Sequence, residues 1–216
     1  MPSSRSLPES SAHMRTYLRS EAVVVHKTKE EFGGLSNMAP GFPLHIDGVC
    51  ILTSEALYQA CRFPHDPDLQ REIIGQHSPM TAKMKSKPHR ENSRADWDDV
   101  RLKVMRWSLR VKLAQNHESF GGLLLSTGDG PIVELSQKDV YWGAKASGLD
   151  DSELIGMNVL GRLLMELREL LRRDSEGRLK TVSPLNIPNF LLLGKPIGTV
   201  SSQDSLPMSR RQPDLF

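Results

Sequence analysis

The sequence predicts an α+β fold: one compact, mainly helical domain with a small sheet in its N-terminal part. Three observations carry the prediction. Apolar residues recur at helical spacing in two long segments, β-branched runs and an Asp-Gly turn mark strands early in the chain, and capping residues precede prolines between them. At 216 residues, 38% hydrophobic and 25% charged, the chain suits one domain with tails.

Residues 1–20, rich in Ser, Arg and Pro, read as a disordered leader, and the domain spans 21–175. Ala22-Val23-Val24-Val25 is its first strand. Pro43-Leu44-His45-Ile46 and Val49-Cys50-Ile51-Leu52 flank Asp47-Gly48, a two-residue hairpin turn that needs positive φ. Thr53 or Ser54 caps a helix through Ala56, Leu57, Tyr58, Ala60 and Cys61. Asp66-Pro67 and Ser78-Pro79 read as two further helix starts. The longest helix begins near Asp96, with Val100, Val104, Trp107 and Val111 on one stripe. Ile132-Val133 is a short strand. A helix over Asn158–Arg172 gathers Leu160, Leu163, Leu164, Leu167, Leu170 and Leu171 on one face. Residues 176–197 form an arm that docks through Asn189–Leu193, since three exposed leucines would be a liability. From 198 to 216 the chain reads as a disordered tail.

Composition excludes several classes. A net charge of +2 and a pI of 8.6 neither demand nor forbid a nucleic-acid partner. Cys50 and Cys61 alone make no disulfide framework and no cysteine zinc site. The seven histidines lack ligand spacing, so no metal is expected. No GxGxxG, GxxxxGK[ST], HExxH or GxSxG motif occurs, and no cofactor is implied. No run is apolar enough for a bilayer and the first twenty residues lack a signal-peptide core, so a cytoplasmic protein without membrane contact is expected.

Chemistry is left to polar residues in unusual company. Phe32-Gly33-Gly34-Leu35-Ser36-Asn37 is either a plain turn or a backbone nest for an anion or a sugar hydroxyl. Glu55 opens a helix, where it either caps or reaches a site. Asp139-Val140-Tyr141-Trp142-Gly143 sets a carboxylate beside aromatic rings that either pack or stack on a ligand, and Trp97 stands at another element boundary. Trp107 belongs to the core. Lys83 to Arg90, with Arg94, concentrates positive charge, as a solvated face or a phosphate contact. Two carboxylates and an aromatic slot suit cleavage of a glycosidic bond, although spacing alone does not establish it.

Taken in order, Gly34–Asn37, Thr53–Ala60, Ser78–Ala82, Asp96-Trp97, Val104-Met105, Ile132–Glu134, Asp139–Gly143 and Gly156–Met165 resemble the NADAR family of YbiA-like N-glycosidases. The likeness runs from about Val24 to Leu171. One departure is Ala56, where many relatives carry histidine, which leaves Glu55 to bear that motif. The resemblance implies hydrolysis of a bond between a ribose anomeric carbon and a nitrogen. It implies Glu55 and Asp139 as the acidic machinery, and Gly34, Ser36, Asn37, Tyr58, Trp97, Trp142 and Asn158 as pocket residues. Lys27, with Lys29 close by, stands where a desolvated lysine would attack the opened sugar as a Schiff base, or else would contact a phosphate.

Three functions are consistent with the resemblance. The favoured one removes ADP-ribose from guanine in DNA, single strands in preference, as an antitoxin or repair enzyme against a cognate ADP-ribosyltransferase toxin. The second hydrolyses a phosphorylated intermediate of riboflavin synthesis, and the third binds ADP-ribose without cleaving it. Gln212, Leu215 and Phe216 at the C-terminus also match the short peptide that docks on bacterial DNA sliding clamps, a second expected partner.

Overall fold

The computed structural model describes residues 13–148 and 151–205. A long central helix, α4 (Trp97–Gln115), organises the rest. Its stripe of Val100, Val104, Trp107 and Val111 is buried, as the spacing requires. The cap-proline signals become α2 (Pro67–Ile74) and α3 (Pro79–Ser86), with Asp66 and Ser78 side chains accepting from the amides of Leu69 and Thr81. Before them α1 (Ser54–Ala60) begins at Thr53, whose Oγ1 accepts from Ala56 N at 3.2 Å. The last long helix, α6 (Val159–Arg172), buries Leu160, Leu163, Leu164, Leu167 and Leu171, while Leu170 faces out. The helix α5 (His117–Ser126), not foreseen from the sequence, fills the space between α4 and α6.

The fold is α+β, with strands spread over five small sheets among the described residues. The parallel pair of β2 (Val23–Val25) and β5 (Ile132–Glu134) lies under α6. The expected hairpin forms from β3 (Leu44–Ile46) and β4 (Val49–Ile51), with Asp47 at φ 48° and Gly48 at φ 82°.

Two expectations need correction. The 1–20 leader contains β1 (Arg15–Leu18), which pairs antiparallel with β7 (Glu153–Gly156), itself bordered by β6 (Lys145–Ala146). Tyr17 anchors that strand because its ring is buried against Val133, Ala144 and Leu154. At the other end, order continues past 198: β8 (Thr181–Val182) pairs with β11 (Val200–Ser201), followed by a single 3-10 turn over 202–205. Between them β9 (Leu191–Leu192) and β10 (Lys195–Pro196) make a hairpin. Gln70 ties this arm down, donating to Leu191 O and accepting from Leu193 N at 2.6 Å. Phe190 meets Trp107 edge-on at 4.9 Å. The Gln212–Phe216 peptide lies outside the described residues. Among those residues no helix is long and apolar enough to cross a membrane.

Candidate active site

A cavity of about 290 Å³ opens where the turn at 33–38, α1, α3, the start of α4 and the 134–143 segment meet. The capped start of α1 fixes one wall. Helical spacing puts Glu55, Tyr58 and Gln59 on the same face, and all three line the cavity. Glu55 is only 5% exposed, yet both carboxylate oxygens are held: Asn37 Nδ2 donates to Oε2 at 2.6 Å and Gln59 Nε2 to Oε1 at 2.8 Å. Ser86 Oγ donates in turn to Gln59 Oε1 at 2.8 Å, which fixes the orientation of that amide. Burial raises the Glu55 pKa, opposed by the Gln59 bond, Lys83, the Asn37 bond and Arg62.

The second wall is β5, which ends in Glu134. Its Oε1 accepts from Ser36 Oγ at 3.2 Å, while Oε2 is buried with no partner among the described residues. Burial pushes the Glu134 pKa up to about 7, with the nearby Glu55 charge acting in the same sense against the Ser36 bond and Lys112. Ser36 and Asn37 are consecutive, so one turn grips both carboxylates. That turn is itself clamped. Lys112, wholly buried on α4, donates from Nζ to Gly34 O at 2.7 Å and Ser36 O at 3.1 Å, between the faces of Phe42 and Phe120. Burial brings its pKa down to about 7.

Asn158 holds Glu134 from the other side. In the left-handed region at φ 48°, its Oδ1 accepts from Glu134 N at 3.0 Å and its Nδ2 donates to Ile132 O at 2.8 Å. Gly161, one turn into α6, permits this approach, because a Cβ there would stand 2.1 Å from Ile132 O.

The third wall is aromatic. Tyr58 lies 5.1 Å from Trp97 and 5.8 Å from Trp142, and Tyr141 meets Trp142 edge-on at 5.0 Å. Arg62 stacks over Trp97 and Arg101 over Tyr141, so two guanidinium groups border the rings. With Lys83 and Arg90 they make four cations among the lining residues.

Of the residues singled out in the sequence, Ser36, Asn37, Glu55, Tyr58, Trp97, Asp139 and Trp142 share this cavity. Gly34 and Asn158 do not line it and act through a carbonyl and an amide behind it. Asp139 reaches it, but its Oδ1 accepts from the amides of Tyr141 and Trp142 at 3.1 and 3.0 Å, a turn-capping task. Lys27 departs from expectation. It is exposed and outside the cavity, so the desolvation that would activate it is missing, and the cavity's own lysine is Lys83. Of the basic stretch, Lys83 and Arg90 face the cavity, whereas Arg94 is buried and paired with Asp96 at 2.6 Å. Glu134 and Gln59 fall in segments that carry the family resemblance but were not singled out as site residues, and Arg62 and Arg101 escaped the sequence reading. Gln59 and Arg62 stand four and seven residues after Glu55, a helical face that could have been followed.

Known proteins resemble this chain over most of its length. The NADAR domain profile matches residues 24–172. The chain is 36% identical over 169 residues to an N-glycosidase, YbiA, of Shigella boydii, covering 76% of this chain and 98% of that protein. It is 32% identical over 178 residues to a riboflavin biosynthesis protein of Vibrio vulnificus, covering 82% of this chain and 44% of that one. The solution structure of Escherichia coli YbiA superposes with a TM-score of 0.60 at 35% identity, over 73% of this chain and 89% of that chain. Likeness of that extent carries chemistry as well as fold: the chain is a glycosyl hydrolase of the N-glycosidase type and belongs to the NADAR domain family.

Proposed function

We propose that this cavity hydrolyses the N-glycosidic bond between ADP-ribose and guanine in DNA, reversing the action of a DNA ADP-ribosyltransferase as an antitoxin or repair enzyme. The observation that carries the reading is the unequal carboxylate pair. Glu55, with both oxygens already accepting hydrogen bonds, suits a fixed negative charge beneath the anomeric carbon. Glu134, with a buried unpaired oxygen and a pKa near 7, suits a proton donor. As the C–N bond breaks, its electron pair leaves with the base, which takes the Glu134 proton, and Glu55 stabilises the oxocarbenium charge. Water then adds to the anomeric carbon and returns a proton to Glu134. Four cations suit a diphosphate, and the aromatic wall suits a purine face. Single strands are the better substrate because drawing a base from a duplex costs a few kcal/mol.

A second substrate, a phosphorylated N-riboside of riboflavin synthesis, is favoured by the name of the Vibrio vulnificus relative and would use the same pair. A module that only binds ADP-ribose has no use for two paired carboxylates. The test is a side-by-side assay on an ADP-ribosylated guanine oligonucleotide and on the riboflavin intermediate, with wild type and Glu55→Gln. We expect turnover of the first, abolished in Glu55→Gln while ADP-ribose binding persists, because the lost charge acts mainly in the transition state. Turnover of the riboflavin intermediate alone would overturn the substrate, and a fully active Glu55→Gln would overturn the mechanism.

A further inference from the structure

Beside the cavity runs a wider groove of about 700 Å³, walled by α3, the 3-10 turn after it and the 135–139 loop. Lys83, Arg90, Ser136 and Asp139 line both spaces, so the two are continuous. We propose that this groove binds single-stranded nucleic acid, the strand that continues from the nucleotide held in the cavity. The course of that strand rests on the substrate reading above; its recognition by the groove does not.

The groove's charge is uncompensated. Lys83, Lys87, Arg90 and Lys138 face it, and none forms an ion pair within 4.0 Å among the described residues. The neighbours that face elsewhere are neutralised, Lys85 by Glu72 at 2.7 Å and Arg94 by Asp96 at 2.6 Å. The one carboxylate in the groove, Asp139, is turned to backbone amides. Within the Lys83–Arg94 stretch, then, the unpaired lysines and arginine all line this groove.

The floor between the cations is apolar. Met80 and Met84, one helical turn apart, are 57% and 54% exposed, the two most exposed of the large hydrophobic side chains among the described residues. Burial would favour hiding them, yet α3 turns them toward the cations, and thioethers adapt readily to flat apolar partners. A polyanion whose units carry flat apolar faces matches both features at once. An acidic peptide would use the charges and leave the methionines idle, and a membrane surface would not enter a concave groove. Unpaired bases are required, since only a single strand offers its faces to such a floor.

The size of the cavity points the same way. At about 290 Å³ it stands at the lower end of small-ligand sites, so a substrate with a polymer attached must extend beyond it. The groove is the adjoining space lined with the right chemistry.

The test uses the full-length protein and an unmodified, labelled single-stranded oligodeoxynucleotide, followed by fluorescence anisotropy over a range of salt. Log Kd should rise with log salt with a slope of about 2 to 3, near 0.7 for each of three or four phosphates neutralised. Lys87→Glu with Lys138→Glu should weaken binding about tenfold or more and flatten that slope. Met80→Ser with Met84→Ser should weaken binding at unchanged slope, because the methionines meet bases and not phosphates. On modified substrates, both double variants should lower kcat/KM for the ADP-ribosylated oligonucleotide and leave the ADP-ribosylated free nucleoside untouched. All four residues lie outside the lining of the cavity, so normal nucleoside turnover also certifies folding. Absent or salt-insensitive binding, or binding indifferent to both double variants, overturns the groove. Equal binding of a polyglutamate peptide with no methionine dependence overturns it too. If no ADP-ribosylated guanine is hydrolysed while the oligonucleotide still binds and the variants weaken it, the substrate reading fails and the groove stands.

Discussion

Glu134 ends a strand with one oxygen on a serine and the other without a partner among the described residues. That asymmetry separates it from Glu55, whose two oxygens are both occupied, and it sets the expected pH behaviour. A proton donor with a pKa near 7 is competent below that pH, so kcat/KM should be level in mild acid and fall as pH rises through about 7. Glu134→Gln should lower kcat by about 10²- to 10⁴-fold and abolish the alkaline limb. An unaltered limb in that variant would assign the titration elsewhere. Lys27→Ala, by contrast, should leave turnover unchanged, and borohydride should fix no sugar on Lys27, as its exposed position dictates. Beside a helix cap, Glu55 carried a local signal, but only the family resemblance chose between capping and a site. Glu134 lies in a segment of that resemblance, but nothing local marks it for a site, because the serine that holds it is 98 positions away. Asp139 lines the cavity as the resemblance implied, yet an aspartate three residues before a tryptophan reads alike whether it cups a substrate or caps a turn.

Among the elements, the turn at 33–38 does most for the site and is the least self-sufficient. Its carbonyls point at Lys112, and its two polar side chains divide between the carboxylates. Lys112→Met would strip buried Gly34 O and Ser36 O of a donor, at a cost of about 1–3 kcal/mol, visible as a lower Tm. A purely structural lysine would do no more. Here the lost positive charge should also raise the Glu134 pKa, so the alkaline limb of the pH profile should move upward while kcat falls. A lower Tm with the limb unmoved would confine Lys112 to packing. The elements near this turn were well signposted, since caps, prolines and an Asp-Gly turn act over three or four residues. What the sequence hid were pieces without local logic. The strand β1 finds its partner β7 far along the chain, and α5 carries Gly121-Gly122 before an unperiodic Leu123-Leu124-Leu125.

The molecule as a whole is larger than its family match. The NADAR profile stops at residue 172, yet the arm beyond it supplies Val182, Phe190, Leu192, Ile197 and Val200 to the same core. Trp107 Nε1 donates to Ser183 O at 3.0 Å, so the central helix is finished by residues outside the match. Phe190→Ala should cost about 3–5 kcal/mol by leaving a cavity against Trp107, seen in chemical denaturation. Turnover per folded molecule should hold, because the arm contributes nothing to the lining of the catalytic cavity. An arm that could be loosened without loss of stability would be a mere appendage. Asn158 has its own consequence at this scale. By taking the N–H of Glu134 and the C=O of Ile132, its amide imitates a neighbouring strand, one residue long, on the free side of β5. Just beyond it, on the same side, Ala144 N donates to Glu134 O at 2.8 Å. Side chain and backbone together meet the polar groups of β5 on the side away from β2, so a strand of three residues is bonded along both edges.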